Sequence, residues 1–302
     1  MASIEARGLR KTYGATKALD GVDLKVEEGR ILGLIGPNGA GKTTALNAIL
    51  GLTPCEGMLR VLGRDPWTQR DELMREVCFI ADVAVLPRWM KVRQAIDYVD
   101  GVHPKFDRAR AEAFLARTRI PLEKKIGKLS KGMITQLHLA LVMAIDARLL
   151  VFDEPTLGLY ILFRKSFYDS LLYDYFDGKR TIVVTTHQVE EIQHVLTDVA
   201  FIKDGRIVLD SSMEGFEARF AEVMVRSEDA QQARALGPLH ERQVFGRSVF
   251  LFEGKPREQL ERFGEVRTPG IADVFVALMT PSPPEAGAMS PSTSGDGRGG
   301  SR

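Results

Sequence analysis

Cysteine is scarce in this 302-residue sequence, and the two cysteines present, Cys55 and Cys78, do not form a C-x-x-C pair. Two separated cysteines exclude a disulfide-stapled scaffold and favour a protein of the reduced cytosol. The first residues, Met1 to Glu5, lack the apolar core of a signal peptide, which leads to the same expectation.

Long apolar runs are also missing. The longest candidate, from Leu137 to Phe152, is interrupted by Asp146 and Arg148, whereas a membrane-spanning helix needs about 18 or more apolar residues. We therefore expect that the chain does not cross a membrane by itself. The formal net charge is only +1 and the basic residues are scattered, so the overall charge gives no reason to expect nucleic acid as a partner.

One segment carries the strongest functional signal, the run Gly36-Pro37-Asn38-Gly39-Ala40-Gly41-Lys42-Thr43-Thr44. It fits the P-loop pattern G-x-x-x-x-G-K-[ST], with an apolar strand pattern before it and a helical pattern after it. Its glycines let backbone N–H groups turn inward toward anionic oxygens at the start of the helix. Lys42 is placed to reach the β- and γ-phosphates of a nucleotide, and the Thr43 hydroxyl is placed for Mg²⁺.

Polar residues directly follow two further apolar strands. Asp153 and Glu154 follow Leu149 to Phe152, and His187 follows Thr181 to Thr186. Asp153 suits the Mg²⁺ that bridges phosphates, and Glu154 suits the orientation or deprotonation of an attacking water. His187 can donate to a γ-phosphate at the same sheet edge. Without the P-loop, the acids would be interpreted as loop or cap residues and the histidine as a solvent-facing turn residue.

Apolar strands alternate with helices as far as about residue 215. This pattern predicts an α/β P-loop NTPase fold with a mostly parallel sheet covered on both sides and an N-terminal antiparallel β part. Helical segments interrupt the alternation between about residues 83 and 145 and should form a separate lobe. Residues 216–280 are expected to form a small C-terminal accessory region with two short strands and a closing helix. Residues 281–302 are rich in Pro, Ser and Gly, and we expect a disordered tail.

A further motif points to a known family. The segment Leu129-Ser130-Lys131-Gly132-Met133 resembles, in the form LSKGM, the signature motif of ABC transporter nucleotide-binding subunits. It precedes Asp153 by about twenty residues, which is that family's usual spacing. With the P-loop, the Asp153-Glu154 pair and His187 in the same order, the chain resembles the ABC ATPase domain over about residues 3–215. Tyr13 matches the aromatic on which these proteins stack adenine, although alone it would be interpreted as an edge-strand aromatic.

The resemblance implies an activity, cofactors and partners. Two such subunits face each other head to tail and bind ATP and Mg²⁺ between the P-loop of one and the signature residues of the other, which are Ser130, Lys131, Gly132 and Met133. It therefore implies an ATPase with a second nucleotide-binding subunit, identical or different, and a separate transmembrane permease subunit. The implied location is peripheral, at the cytoplasmic face of the membrane. The stretch from Trp89 to Val92 and the LSKGM form resemble the exporter branch.

Two positions depart from the family pattern. Asp82 stands where the family usually has a glutamine that contacts Mg²⁺ or its water, and Tyr160 replaces an aspartate expected to link the two sites. Tyrosine cannot supply a carboxylate, so an ATP-binding regulatory switch with weak hydrolysis remains an alternative. A third hypothesis, a soluble ABC ATPase that acts on DNA or ribosomes, needs a coiled-coil insert or tandem P-loops, which the sequence lacks.

Overall fold

The computed structural model describes residues 1–80, 86–156 and 161–280. The strands are β1 Ala2–Tyr13, β2 Thr16–Glu27, β3 Ile31–Ile35, β4 Glu56–Val61, β5 Val77–Ile80, β6 Leu149–Asp153, β7 Thr181–Thr186, β8 Asp198–Lys203, β9 Arg206–Ser212, β10 Phe220–Val225, β11 His240–Val244, β12 Arg247–Glu253 and β13 Val266–Arg267. The helices are α1 Lys42–Ile49, α2 Arg70–Leu73, α3 Val92–Val102, α4 Arg108–Ala116, α5 Lys131–Met143, α6 Ile161–Ser170, α7 Val189–Ile192, α8 Met213–Arg219, α9 Ala230–Arg234, α10 Arg257–Glu261 and α11 Ile271–Met279. A 3₁₀ turn spans Ile126–Lys128, and a π-helical turn spans Leu171–Tyr175.

The central sheet has the strand order β5-β6-β7-β3-β8-β9 and is parallel except for the last pair, in which β9 runs antiparallel to β8. Strands β3, β6 and β7 are buried along their whole length, because both faces of the sheet are covered. The predicted mostly parallel α/β fold is confirmed. The carboxyl ends of these three neighbouring strands place the P-loop, the two acids and the histidine at one edge of the sheet.

A second sheet, with the order β2-β1-β4, is antiparallel throughout. It covers one face of the central sheet together with α1, and Leu32 and Leu34 of β3 point into the apolar core between them. The alternate residues Ile31 and Ile35 belong to the core on the opposite face, which α5, α6 and α7 help to build. The alternation of side chains along one buried strand thus ties both layers to the strand that leads into the P-loop.

Helices α3, α4 and α5 pack on each other around an apolar cluster of their own. Its fully buried members include Val92 at the start of α3, Ile96 in the middle of α3 and Leu137 on α5. The predicted helical lobe begins at residues 83–85, which lie outside the described residues. From residue 86 onward, the separate cluster explains how this segment can interrupt the strand–helix alternation without adding a strand to the sheet.

His138 on α5 gives the lobe a dependence on pH. Its Nε2 is buried and has no hydrogen-bond partner among the described residues, and burial lowers its pKa from 6.5 to about 4. Between these values the unfolded chain binds a proton that the folded chain does not, so stability falls as the pH falls through this window. We expect His138→Phe to flatten this dependence by up to one proton, or about 1.4 kcal/mol per pH unit.

Urea unfolding of the parent and the His138→Phe variant between pH 7.5 and pH 4.5 measures this effect. At pH 7.5 the histidine is neutral in both states, so this condition gives the baseline difference that packing alone causes. Parallel stability curves for the two proteins across the whole range would contradict the prediction.

The C-terminal part forms a third sheet with the order β11-β12-β10-β13, antiparallel throughout. The sequence pattern predicts strands at residues 223–225 and 248–252 and a helix over residues 271–279. These correspond to the second half of β10, most of β12 and the whole of α11, whereas β11 is not predicted. That strand reads His-Glu-Arg-Gln-Val, and its polar character fits an edge position that faces solvent. Helix α11 returns to the central sheet, where Phe275 packs edge-on against Phe201 with ring centroids 5.3 Å apart.

Between the apolar strands that follow residue 149, the sequence pattern predicts helices over residues 162–176 and 189–196, and the structure differs at both. The helix predicted over 162–176 is regular only as far as Ser170 and continues as the π-helical turn. There the hydroxyl of the buried Tyr175 donates to the Ile145 carbonyl at 2.9 Å, which ties the end of the helix to the residues after α5. The helix predicted over 189–196 ends at Ile192, because the chain tightens into a turn in which the Val195 N–H bonds to the Ile192 carbonyl. The predicted tail, 281–302, lies outside the described residues.

Candidate active site

A cavity of about 520 Å³ opens at the carboxyl edge of the central sheet. Its volume lies within the range of small-molecule sites, about 300–1,000 Å³. It is lined by Thr16, Ala18, Pro37, Asn38, Gly39, Gly41, Lys42, Thr43, Thr44, Asp153, Glu154 and His187. The structure therefore brings the P-loop, both acids and the histidine to one site, as their positions after neighbouring strands indicate.

The P-loop is packed so closely that two of its positions admit only glycine. A Cβ on Gly36 would lie 2.5 Å from the Ile202 carbonyl oxygen, and one on Gly41 would lie 2.4 Å from the Ala18 carbonyl oxygen. Gly41 also has a φ of 109°, which side chains rarely allow, and it immediately precedes α1. The loop is thus fixed between β2 and the end of β8, with its backbone shape set before any ligand arrives.

Lys42 is almost completely buried at the start of α1, with 7% of its surface exposed. Its Nζ donates to the carbonyl oxygens of Gly36 at 2.7 Å and Pro37 at 3.3 Å, and it lies 3.6 Å from Glu154 Oε1. The ammonium group is therefore held across the loop by backbone oxygens, facing a carboxylate on the other side of the cavity. A buried cation in this position suits phosphate oxygens, since charge-assisted hydrogen bonds are among the strongest that proteins make.

Asp153 ends β6 with both carboxylate oxygens engaged. Thr43 Oγ1 donates to Oδ2 at 3.1 Å, and Thr185 Oγ1 donates to Oδ1 at 2.6 Å. Hydroxyl and carboxylate oxygens are the ligands that Mg²⁺ prefers, and it usually takes one or two carboxylates and completes its shell with water and phosphate. The pair Thr43 and Asp153 fits this pattern, and within the described part of the chain no cluster of three or more His, Cys, Asp or Glu residues is suited to hold a metal.

Glu154 turns the chain sharply after β6 and contacts the histidine. Its φ is +49°, in the left-handed region that a glutamate seldom occupies, and its Oε2 lies 2.9 Å from His187 Nδ1. Glu154 is largely buried whereas His187 is more exposed, at 14% and 42% of the side-chain surface. A backbone conformation of this kind costs about 1–3 kcal/mol, and such strain concentrates at functional sites.

Sequence reasoning missed two threonines near the acids, of which one contacts Asp153 and the other follows Glu154 in the chain. Thr185 on β7 contacts Asp153, and Thr156, which follows Glu154 by two residues, lies 3.3 Å from the Tyr168 hydroxyl on α6. Burial raises the pKa of Tyr168 to about 12, so its phenol stays neutral and shares a hydrogen bond with Thr156. Neither contact is visible in the sequence, because both partners come from separate elements.

Some predicted residues lie away from the cavity. Tyr13, at the end of β1, is half exposed, and Lys11 Nζ lies 5.2 Å from its ring centroid. Ser130 caps α5 by accepting from the Met133 N–H at 3.2 Å, and no signature residue from Ser130 to Met133 lines this cavity. Asp82 lies outside the described residues. The roles of Tyr13, of the signature residues and of Asp82 remain predictions.

Comparison with known proteins assigns the chain to a protein family. A family model described as ABC transporter matches residues 19–157. The daunorubicin resistance ATP-binding protein DrrA2 of Streptomyces coeruleorubidus is 32% identical over 221 residues, which cover 71% of this chain and 68% of that protein. The chain belongs to the ABC transporter family. As an ABC protein it is an ATP-binding subunit that hydrolyses ATP for transport, which agrees with the P-loop and the acids at one cavity.

Other ABC proteins match this chain over more of its length, or superpose on its structure. The Nod factor export ATP-binding protein I of Cupriavidus metallidurans is 30% identical over 304 residues, with 92% of this chain and 97% of that protein covered. A solved ATP-binding subunit of an ABC transporter superposes with a TM-score of 0.64 at 22% identity and covers 71% of this chain and 91% of its own. The solved cbiO1 of Clostridium perfringens, described as part of the ABC transporter complex cbiONQ, gives 0.61 at 22% identity, with 70% and 88% covered.

At these identities the two solved structures show the fold alone, and the fold they show is the ATP-binding cassette predicted from the motifs. Within the described ranges, no helix combines the length and the apolar character that crossing a bilayer requires.

Proposed function

We propose that this ABC subunit powers export through a separate transmembrane chain and works as a pair with a second nucleotide-binding subunit at the cytoplasmic face of the membrane. The names of its relatives support export, since one is a daunorubicin resistance protein and another a Nod factor export protein. The exporter-like sequence from Trp89 to Val92 agrees with them.

The observation that carries the hydrolytic role is the position of the Glu154 carboxylate. It lies between the Lys42 ammonium, 3.6 Å away, and the His187 ring, 2.9 Å away, at the wall of the cavity that the P-loop forms. In the proposed mechanism Lys42 binds the β- and γ-phosphates, and Glu154 accepts a proton from the attacking water. His187 orients the Glu154 carboxylate and donates a hydrogen bond to the terminal phosphate.

We propose that Thr43 and Asp153 hold Mg²⁺, and the family pattern implies Asp82 as a further ligand of the ion or its water. When bound, the ion neutralises charge on the phosphates. The carboxylate that would bind the ion is already held in one orientation. Asp153 is buried at the cavity wall and accepts hydrogen bonds from two threonine hydroxyls. Thr43 shares this arrangement because it is the second residue of α1, next to Lys42.

The location of the signature residues supports the proposed pairing. Ser130, Lys131, Gly132 and Met133 open the 13-residue helix α5 outside the cavity of their own chain. The N-terminus of a helix offers unpaired N–H groups and positive potential, which favour phosphate oxygens. In the proposed dimer these groups complete the site of the partner subunit, so that each subunit supplies half of every site.

The proposed docking surface for the permease is the exposed side of α3 and the residues before it. Trp89, Tyr98 and Val102 are 69%, 61% and 60% exposed, and Tyr98 and Val102 are four residues apart on one face of α3. Large apolar side chains that face solvent together favour a protein partner. We propose that a cytoplasmic helix of the transmembrane subunit covers them.

A photocrosslinking amino acid tests this assignment. Placed at Tyr98 it is expected to crosslink a transmembrane chain in membranes. Trp89→Ala is expected to weaken that crosslink at least about 5-fold, since an aromatic anchor at an interface often contributes about 1 kcal/mol or more. The same amino acid at Phe245, in the fully exposed turn between β11 and β12, is the control. Crosslinks from Tyr98 only to ribosomal or DNA-repair proteins would refute the transporter role.

The regulatory switch with weak hydrolysis is the second candidate, because Asp82 and Tyr160 depart from the family pattern. Both residues lie outside the described part of the chain. The turnover of the unmodified protein separates the two candidates: a rate of about 1 s⁻¹ or more lies in the usual enzyme range and favours the motor.

A further inference from the structure

We propose that Thr185 is a positioning residue for ATP hydrolysis, which holds both acids of the site through one hydroxyl group on the neighbouring strand. The inference rests on the proposed roles of Asp153 and Glu154. Thr185 is the fifth residue of β7 and is fully buried, at 0% exposure. Its register partner across the parallel ladder is Asp153, so the strand pairing itself sets the two side by side.

The first contact fixes the direction of the Asp153 carboxylate. Thr185 Oγ1 donates to Asp153 Oδ1 at 2.6 Å, while Thr43 Oγ1 donates to Oδ2 at 3.1 Å. With a donor on each oxygen, the carboxylate is held against rotation about its terminal bond. Since Thr43 stands on α1 and Thr185 on β7, the carboxylate is aligned between the helix that follows the P-loop and the strand that precedes the histidine.

The second contact supports the turn at Glu154. The Glu154 N–H lies 3.2 Å from Thr185 Oγ1 and 3.2 Å from the Thr185 carbonyl oxygen, so one residue accepts from it with both of its oxygens. Glu154 has the left-handed φ of +49°, and this conformation is retained only where the surroundings enforce it. The Thr185 hydroxyl therefore donates to one acid and accepts from the backbone of the next, which valine cannot do and serine can.

A buried threonine in a strand is often a core residue without a role in chemistry. Strand β7 offers that comparison, because Thr181 is equally buried and its hydroxyl also has two partners, Ser3 Oγ at 2.7 Å and the Gly29 N–H at 3.2 Å. Those partners lie at the opposite end of the strand from the acids. Thr181→Val removes the same atom from the same strand and serves as the matched control.

The test compares Thr185→Val, Thr185→Ser and Thr181→Val in the full chain. Thr185→Val is expected to lower kcat about 10- to 100-fold, the usual effect of losing an interaction with a charged group. The Mg²⁺ concentration for half-maximal activity should rise about 10-fold. By calorimetry, ATP affinity without divalent ions should change less than about 3-fold, whereas the increase in affinity that Mg²⁺ provides should shrink about 10-fold. Thr185→Ser should restore both within about 3-fold.

Thr181→Val is expected to unfold at lower urea concentration but to keep the parent kcat and Mg²⁺ dependence. Equal loss of kcat in Thr181→Val and Thr185→Val, or no rescue by serine, would show a packing effect and overturn the proposal. If Thr185→Val does not fold, Thr185→Ala takes its place under the same criteria. An active Glu154→Gln variant would overturn the proposed role of Glu154 on which this inference rests, whereas an inactive one beside an unaffected Thr185→Val overturns only the role of Thr185.

Discussion

Replacement of Glu154 by glutamine should leave ATP binding intact and lower hydrolysis at least about 100-fold. The amide keeps the shape of the side chain and can still contact His187, which lies 2.9 Å from Oε2, so the turn after β6 should persist. What is lost is the acceptor for the proton of the attacking water, together with the negative charge 3.6 Å from the Lys42 ammonium. The variant should therefore accumulate with ATP bound, as a closed dimer.

Single-turnover hydrolysis measures the loss of rate, and size-exclusion chromatography with ATP measures the accumulation of the dimer. His187→Ala is the informative companion, because it removes the contact to Glu154 but keeps the carboxylate, and it should cost less than the Glu154 change. Hydrolysis at the parent rate in Glu154→Gln would exclude this residue as the base, and His187 would become the next candidate.

Replacement of Lys42 by alanine should raise the dissociation constant for ATP about 100-fold, which corresponds to about 3 kcal/mol for the loss of charged hydrogen bonds to phosphate. The ammonium is held in place by the carbonyl oxygens of Gly36 and Pro37, so its position does not have to be organised when the nucleotide binds. Without it, Glu154 faces the phosphates with its charge no longer balanced, which adds repulsion to the loss of attraction.

Isothermal titration calorimetry with ATP, with Mg²⁺ and with EDTA, measures the change. Lys25→Ala is a suitable control, since Lys25 is 62% exposed on β2 and pairs only with Glu27 in the described structure. Because Lys42 also donates hydrogen bonds to two carbonyl oxygens of the loop, its loss could alter the fold. The circular dichroism spectrum of Lys42→Ala must therefore match that of the parent. ATP affinity equal to that of the parent would refute the assignment of the site.

The sequence is sufficient for the P-loop, which lies within one continuous segment, and for the side chains that directly follow apolar strands of the parallel sheet. The P-loop pattern predicts its own conformation, since Gly36 and Gly41 stand where backbone oxygens approach within 2.5 Å of any Cβ. The positions of Asp153 and His187 at strand ends predict their proximity, because parallel strands end at one edge of the sheet. The parallel fold follows from the same apolar strands.

The parts that sequence reasoning missed depend on register and on packing between distant segments. Thr185 contacts Asp153 because of a specific strand alignment, and the only hint in the sequence is a threonine near the end of an otherwise apolar strand. The polar strand β11 is invisible for a different reason, since an edge strand needs no alternating apolar pattern to be paired. Tyr13 lies on β1 and is not among the residues that line the cavity, so the role that the family pattern predicts for it stays a prediction.

The return of α11 to the central sheet has a consequence for how the chain is made. Ile271 and Val274 are buried in the same apolar core as Ile31 and Ile182, so this core draws on nearly the whole described length of the protein. During synthesis the N-terminus leaves the ribosome first. The face of the central sheet that carries Ile31 and Ile182 therefore stays partly uncovered until Ile271 and Val274 have left the exit tunnel. The nucleotide-binding core is therefore completed late in synthesis, although its motifs are translated early.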